Sequence, residues 1–283
     1  MKVKGWVDVL VKSSTGKVSS YKLTNSVTLD LAQWLMRRVK GLDYPDTGVP
    51  NTISVWTDTN VANSSTAFSE RSAYVAQDRK SVTAYFTVED MQFSSNQAMT
   101  INKVALYGAN FYTLAETSNV NPNPQFASND KVSVTYNIQF SFSNLDSGWV
   151  LRLVKTMVGL VDSAGSYVAD NSKRCAINYG KVGYLSTGQP VLPSNTSFLM
   201  EAEAGGSSDA TDAIAKSGDQ IGMVFVAVAS SVRPTLVYLY TREEDGNLVD
   251  VGNSSLNYDE GLTSWVTGDD LVVPYRFSIT PDR

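Results

Sequence analysis

Along most of this chain an apolar residue recurs at every second position, the spacing of a strand with one buried face. Residues 1–25 predict a hairpin: Trp6, Val7, Val9 and Val11 approach a Ser13-Ser14-Thr15-Gly16 turn, and Val18, Tyr21 and Leu23 leave it. After Asn25-Ser26 the period changes. Thr28 or Asp30 can cap a helix in which Leu31, Trp34, Leu35, Val39 and Leu42 share one side. Arg37, Arg38 and Lys40 fall largely on the other side, as a solvated face, and Gly41 or Pro45 ends the run. From about residue 50 the pattern returns to strand and turn, with strands expected at 53–56, 74–75, 82–88, 101–107 and 132–142 and polar loops such as Asn119-Val-Asn-Pro-Asn-Pro124 between them.

The second half opens near Asn144-Leu-Asp-Ser-Gly148. Residues 149–160 fit a helix with Trp149, Leu153, Met157 and Leu160 in register. They fit equally a long strand turning at Asp162-Ser-Ala-Gly165, because short apolar runs suit both states. Further strands are expected at 176–185, 223–228, 236–240 and 271–279. Glu201-Ala-Glu-Ala-Gly-Gly-Ser-Ser-Asp-Ala210 is small and polar, so 199–219 reads as a surface loop.

The two halves end alike, about 140 residues apart. Phe126-Ala-Ser-Asn-Asp130-Lys-Val132-Ser-Val134-Thr-Tyr136-Asn-Ile138-Gln-Phe140 lies without a gap over Trp265-Val-Thr-Gly-Asp269-Asp-Leu271-Val-Val273-Pro-Tyr275-Arg-Phe277-Ser-Ile279. Upstream, Val104-Ala-Leu106-Tyr107, a polar loop and Leu114 match Val237-Tyr-Leu239-Tyr240, a polar loop and Leu248. Two elements in one order predict a mainly β chain of two tandem β-sandwich domains made by internal duplication, 1–143 with the hairpin and short helix and 144–283, with one or two short helices in all and a jelly roll as a candidate topology.

Composition narrows the function classes. The 283 residues suffice for two ordinary cores, and a charged fraction of 18% with many small polar residues suits strands and turns. A formal net charge of −5 with no long basic run argues against a nucleic-acid partner. No stretch approaches the roughly 20 apolar residues of a membrane helix, and Met1-Lys-Val-Lys-Gly-Trp-Val-Asp-Val alternates where a signal peptide has a continuous apolar core. No membrane partner is therefore expected, and assembly in a cytoplasm is.

Catalytic chemistry has few carriers. With no His, neither Ser-His-Asp nor Cys-His arrangements can form, nor a Cys/His zinc site. Cys175 is alone and reads as a core residue. Carboxylate pairs for glycoside hydrolysis could come from Glu89-Asp90, Glu201/Glu203, Glu243-Glu244-Asp245 or Asp259-Glu260, all in or beside predicted turns where acidic residues are ordinarily solvated. Asp245-Gly246-Asn247 and Asp269-Asp270 lack the spacing of a calcium loop, and Gly205-Gly206 lacks the Lys of a phosphate loop. No catalytic, cofactor-binding or metal residue is assigned, and no enzyme activity is expected. Trp6, Trp56, Tyr107, Tyr136, Tyr240 and Tyr275 sit at strand positions, where packing is the ordinary role and a sugar platform the minority one.

Val237-Tyr-Leu-Tyr240-Thr-Arg-Glu-Glu-Asp-Gly246-Asn-Leu248-Val-Asp-Val-Gly252-Asn, with the later Leu271-Val-Val-Pro-Tyr-Arg-Phe, resembles segments of tailed-bacteriophage virion proteins, in particular collar, tail-fibre and baseplate components. Lys4-Gly5-Trp-Val-Asp-Val, the Thr15-Gly16-Lys17 turn and Asn25-Ser-Val-Thr running into a helix are similar to the openings of such proteins; in the first copy Gly108-Ala-Asn-Phe-Tyr112 replaces the Asp-Gly turn. The resemblance implies a non-enzymatic virion structural protein of the tail, collar or fibre-attachment region, partnered by copies of itself and other virion proteins. Two other readings stand beside it. One is a double-jelly-roll capsid or head decoration protein; the other is a carbohydrate-binding adhesin module that takes a host-surface glycan through Trp56 or Trp265.

Overall fold

The computed structural model describes residues 1–41, 49–58, 62–94, 98–109, 112–117, 123–161, 163, 167–168, 175–186, 189–191, 198–203, 219–227, 231–232, 234–257, 264–266 and 268–281. The chain begins with β1 (Lys2–Lys12) and β2 (Val18–Val27), antiparallel from Gly5↔Asn25 to Lys12↔Val18. Their turn is closed by Ser13 N–H on Lys17 O at 2.8 Å and Gly16 N–H on Ser13 O at 2.9 Å, with Gly16 at φ 87° where a side chain would be strained. Val7, Val9, Val11, Leu23 and Val27 are buried, while Leu10, Lys22, Thr24 and Ser26 between them are exposed.

Thr28 caps α1 (Leu29–Val39), its Oγ1 accepting from Leu31 N–H. Leu31, Trp34, Leu35 and Val39 are buried as their spacing requires, while Leu42 and Pro45 lie outside the described residues. The expected solvated basic face is corrected at Arg38, which is 4% exposed. Arg38 stands one turn beyond Trp34, and its guanidinium lies 4.8 Å from that ring's centroid, so its stem is packed where the helical wheel alone put it in water.

Eight strands complete the first half: β3 (Thr52–Thr57), β4 (Ala62–Ser65), β5 (Glu70–Val75), β6 (Ser81–Met91), β7 (Met99–Tyr107), β8 (Thr113–Glu116), β9 (Gln125–Phe126) and β10 (Lys131–Ser141). They join the hairpin in one large curled antiparallel sheet of order β4-β3-β7-β8-β2-β1-β10-β6-β5, with β9 against β7. β10 is the spine: it pairs with β1 from Lys2↔Ser141 to Lys12↔Lys131 and with β6 on its other edge.

Asp146 then caps α2 (Ser147–Val158), Oδ1 accepting from Trp149 N–H at 3.0 Å, and Gly159 at φ 85° ends it. The 149–160 run is therefore helical to Val158, with Trp149, Leu153 and Met157 buried on one side, and Leu160 passes into β11 (Leu160–Val161), paired with β12 (Tyr167–Val168). The cap decides between the two periods that the apolar run allows.

The remaining strands are β13 (Tyr179–Ser186), β14 (Gln189–Val191), β15 (Phe198–Glu203), β16 (Asp219–Ala227), β17 (Ser231–Val232), β18 (Leu236–Arg242), β19 (Leu248–Ser255), β20 (Ser264–Trp265), β21 (Asp270–Phe277) and β22 (Thr280–Pro281). The loop expected at 199–219 is corrected at both ends, because Phe198–Glu203 pairs with β16 from Phe198↔Ala227 to Glu203↔Gly222. Pairing with an apolar neighbour outweighs the polar composition of Glu201-Ala-Glu203; residues 204–218 lie outside the described set.

The smaller sheets repeat relations seen in the large one. β13 lies between β14 and β18, and β18 pairs β19, as β3 lies between β4 and β7, and β7 pairs β8. β16 lies between β15 and β21 as β6 lies between β5 and β10. The register slips after Leu106 where β7 meets β8, and after Leu239 where β18 meets β19. Leu106 faces Ala115 and Leu239 faces Gly252, so Leu114 corresponds to Val251 and not to Leu248, the match the sequence suggested. The longer Asp-Gly hairpin accounts for the difference. Each helix cap also docks on the corresponding strand, β8 or β19: Thr28 N–H donates to Leu114 O at 3.0 Å, and Asp146 N–H to Val251 O at 2.8 Å.

The buried apolar residues form one continuous cluster across both halves. α2 packs on β5 and β6, and Trp149 meets Phe277 edge-on at 5.7 Å. At the chain ends β22 pairs in parallel with β1 (Lys2↔Thr280, Val3↔Pro281), and the Met1 amine donates to Ser278 O at 2.8 Å.

Candidate functional site

Among the described residues no group of three or more Cys, Asp or Glu side chains is placed to hold a metal ion. Asp90, at φ 53°, ion-pairs with Lys131 at 2.5 Å and links β6 to β10; Glu89 beside it is exposed. Glu243 receives Arg152 at 2.7 Å, tying the β18–β19 turn to α2. Asp245 is spent inside that turn, accepting from Asn247 N–H at 3.0 Å and from Asn247 Nδ2 at 2.6 Å. Glu201 and Glu203 lie on β15 opposite Val224 and Gly222, and Asp259 and Glu260 lie outside the described residues. Carboxylates held by surface cations or by their own turn are engaged in structural contacts, at a gain of about 0–1 kcal/mol per exposed pair. Cys175 is 1% exposed, in the core position its neighbours suggested.

Among the described residues one further carboxylate, Asp250 on β19, was not singled out by the sequence. Partial desolvation, and then the charge of Asp146, raise Asp250 above its ordinary value. Burial and then Asp250 push the Tyr240 phenol up to about 12. The Asp146 contribution comes from the α2 cap lying against β19, a tertiary contact with no local signature.

The aromatic residues divide by sheet face. Tyr136 is fully buried, and burial raises its phenol far above the ordinary value. Trp6, Trp56, Tyr107 and Tyr240 are half-buried on the outer face. Trp6 Nε1 donates to Asp8 Oδ2 at 3.0 Å while Lys22 Nζ stands 4.7 Å from its ring. Trp56 meets Tyr107 edge-on at 6.2 Å and carries Lys103 at 5.0 Å, itself paired with Glu116 at 2.7 Å. In the second half Tyr240 lies 6.3 Å from Tyr179, with Lys181 5.6 Å from its ring. A sugar ring stacks on an uncovered aromatic face, and here lysine ammonium groups already stand over a face of Trp6, Trp56 and Tyr240. The side chains of Trp265 and Tyr275 lie outside the described set.

Backbone edges remain as the candidate surface. β4 and β5 end the large sheet, β14 and β19 end one small sheet, and β15 and β21 end another. An edge strand offers a row of N–H and C=O groups that a further strand can satisfy. Among these, β19 is met at Gly252 by Leu145, as β8 is met by the end of β2. β21 differs from its counterpart β10: β1 covers the free edge of β10, and no described strand covers that of β21. Comparison with protein-family models, curated proteins and solved structures finds no match to the chain.

Proposed function

We propose that this chain is a non-enzymatic structural protein of a bacteriophage virion, in the tail, collar or fibre-attachment region, built from duplicated β-sandwich modules and working through repeated contacts with its own copies and other virion proteins. The observation that carries the reading is the shared frame of the two halves. Two capped helices dock on equivalent strands, two bulges fall at equivalent leucines, and two turns close alike. In those turns Asp130 accepts from Ala127 N–H at 2.8 Å, and Asp269 from Val266 N–H at 2.9 Å, with Asn129 at φ 74° and Gly268 at φ 95° in matching places.

A duplicated sheet frame gives one chain two similar sets of edges and loops. Specific interfaces of about 1,200–2,000 Å² repeated by symmetry need such surfaces and no reactive centre. The resemblance of the Leu-Tyr strand and Asp-Gly turn to phage tail components supplies the particle. Labelling intact particles with a gold-conjugated antibody against this chain tests the placement: label at the tail or collar agrees, label over the whole head favours the capsid or decoration alternative, and no label at all defeats the proposal.

A further inference from the structure

We infer that the edge of β21 that no described strand covers is an acceptor for a strand from a different polypeptide, taken in the way β10 takes β1. The inference rests on the duplication part of the reading above and is independent of the particle. In the first half Val7, Val9 and Val11 of β1 stand opposite Tyr136, Val134 and Val132 of β10. The register that unites the two Asp turns places Tyr275, Val273 and Leu271 of β21 at those positions. Leu271 and Val273 are buried as Val132 and Val134 are, so the inner face continues under an edge whose outer row has no described strand.

The direction of the backbone groups follows from the chain end. Ser278 O accepts from the Met1 amine at 2.8 Å, and Thr280 N–H donates to Met1 O at 2.9 Å, so residues 278 and 280 turn their groups toward β1. The two-residue period carries that orientation back to Arg276, Pro274 and Val272. The open row therefore offers N–H and C=O at Val272 and Arg276 and only C=O at Pro274, where β10 has Thr135. A proline facing outward is how an edge strand is protected against indiscriminate pairing, and it sets a threshold that a partner must exceed through the other groups.

Counting fixes the kind of occupant. Each copy of the chain holds one β1, and its own β10 uses it along the whole strand. Exchange of β1 among copies would fill one edge only by emptying another, and none of the described strands that end a sheet carries three small apolar residues at alternate positions as Val7, Val9 and Val11 do, so the occupant is assigned to a foreign extended segment of that pattern.

The test uses the full chain and a fluorescein-labelled peptide of residues 1–13 as a stand-in strand, read by fluorescence anisotropy, with backbone amides followed by hydrogen exchange. Saturable binding at one site is expected, with Val272 and Arg276 amides exchanging freely in the isolated chain and slowed by peptide. Pro274→Thr restores one backbone donor and should tighten binding about fivefold, and Arg276→Pro, checked for intact fold by circular dichroism, should weaken it by a similar factor. Absence of binding at millimolar peptide, an unchanged affinity in Pro274→Thr, or amides already protected in the isolated chain would overturn the inference. So would a dimer in sedimentation that the peptide disperses, because the occupant would then be a second copy.

Discussion

Gly252→Ala probes the junction on which the second half is hung. Gly252 adopts φ +145°, and a Cβ there would sit 2.2 Å from Asn144 O and 3.1 Å from Asn144 C and Leu145 Cα. All three are backbone atoms, which cannot swing aside. Ordinary carbon–oxygen contact begins at about 3.3 Å, so β19 and the segment before α2 must part by about 1 Å. That separation sacrifices the Asp146 N–H bond to Val251 O, 2.8 Å long and worth about 1 kcal/mol. Alanine held at positive φ adds about 1–2 kcal/mol, so the expected loss is about 2–3 kcal/mol, a large share of a typical stability of about 5–15 kcal/mol. Urea unfolding followed by circular dichroism and tryptophan fluorescence measures it. The matching position in the first half supplies the control: Ala115 already carries a Cβ at its place on β8, and Ala115→Gly should cost only about 1 kcal/mol. A Gly252→Ala protein within 0.5 kcal/mol of the parent would refute the geometry at this contact.

Three further outcomes follow from the same frame. Asp130→Ala and Asp269→Ala should each destabilise by about 1 kcal/mol in urea titrations, Asp130 the more because it also accepts from Ser14 N–H at 3.0 Å. Trp149→Ala should cost about 3–5 kcal/mol, since the ring is fully buried against Phe277 and donates to Thr241 Oγ1 at 3.1 Å; Trp149→Phe should cost clearly less. At alkaline pH the phenols of Tyr136 and Tyr240 are both raised, so the folded state keeps protons that the unfolded state releases; stability is complete below pH 10 and falls as pH rises beyond it, toward about 12 for Tyr240. Tyrosinate absorbance should show Tyr136 ionising only with unfolding, and Tyr136→Phe should flatten the decline in stability.

Local pattern made much of this architecture legible. The hairpin, the first helix with its Thr28 cap, and the strands at β6, β7, β10, β18 and β21 follow from apolar period and turn residues alone. The Asp130 and Asp269 turns were readable because the signal lies within a few residues. What failed locally depends on distant partners. Glu201-Ala-Glu203 is a strand because β16 lies beside it, and Arg38 is buried because Trp34 and the core leave its stem no other course. The Leu114–Leu248 match slipped because one hairpin is longer than the other, which only pairing across β18 and β19 reveals. That no described strand covers one edge of β21 was invisible for the same reason: a strand's neighbours are not written in its own residues.

Quantitative mass spectrometry of purified particles tests the central claim most directly. The account predicts this chain as an integral component at a fixed copy number, about a dozen or fewer for a tail or collar ring and hundreds for a shell. Particles that are complete and infectious yet contain none of it would contradict the account.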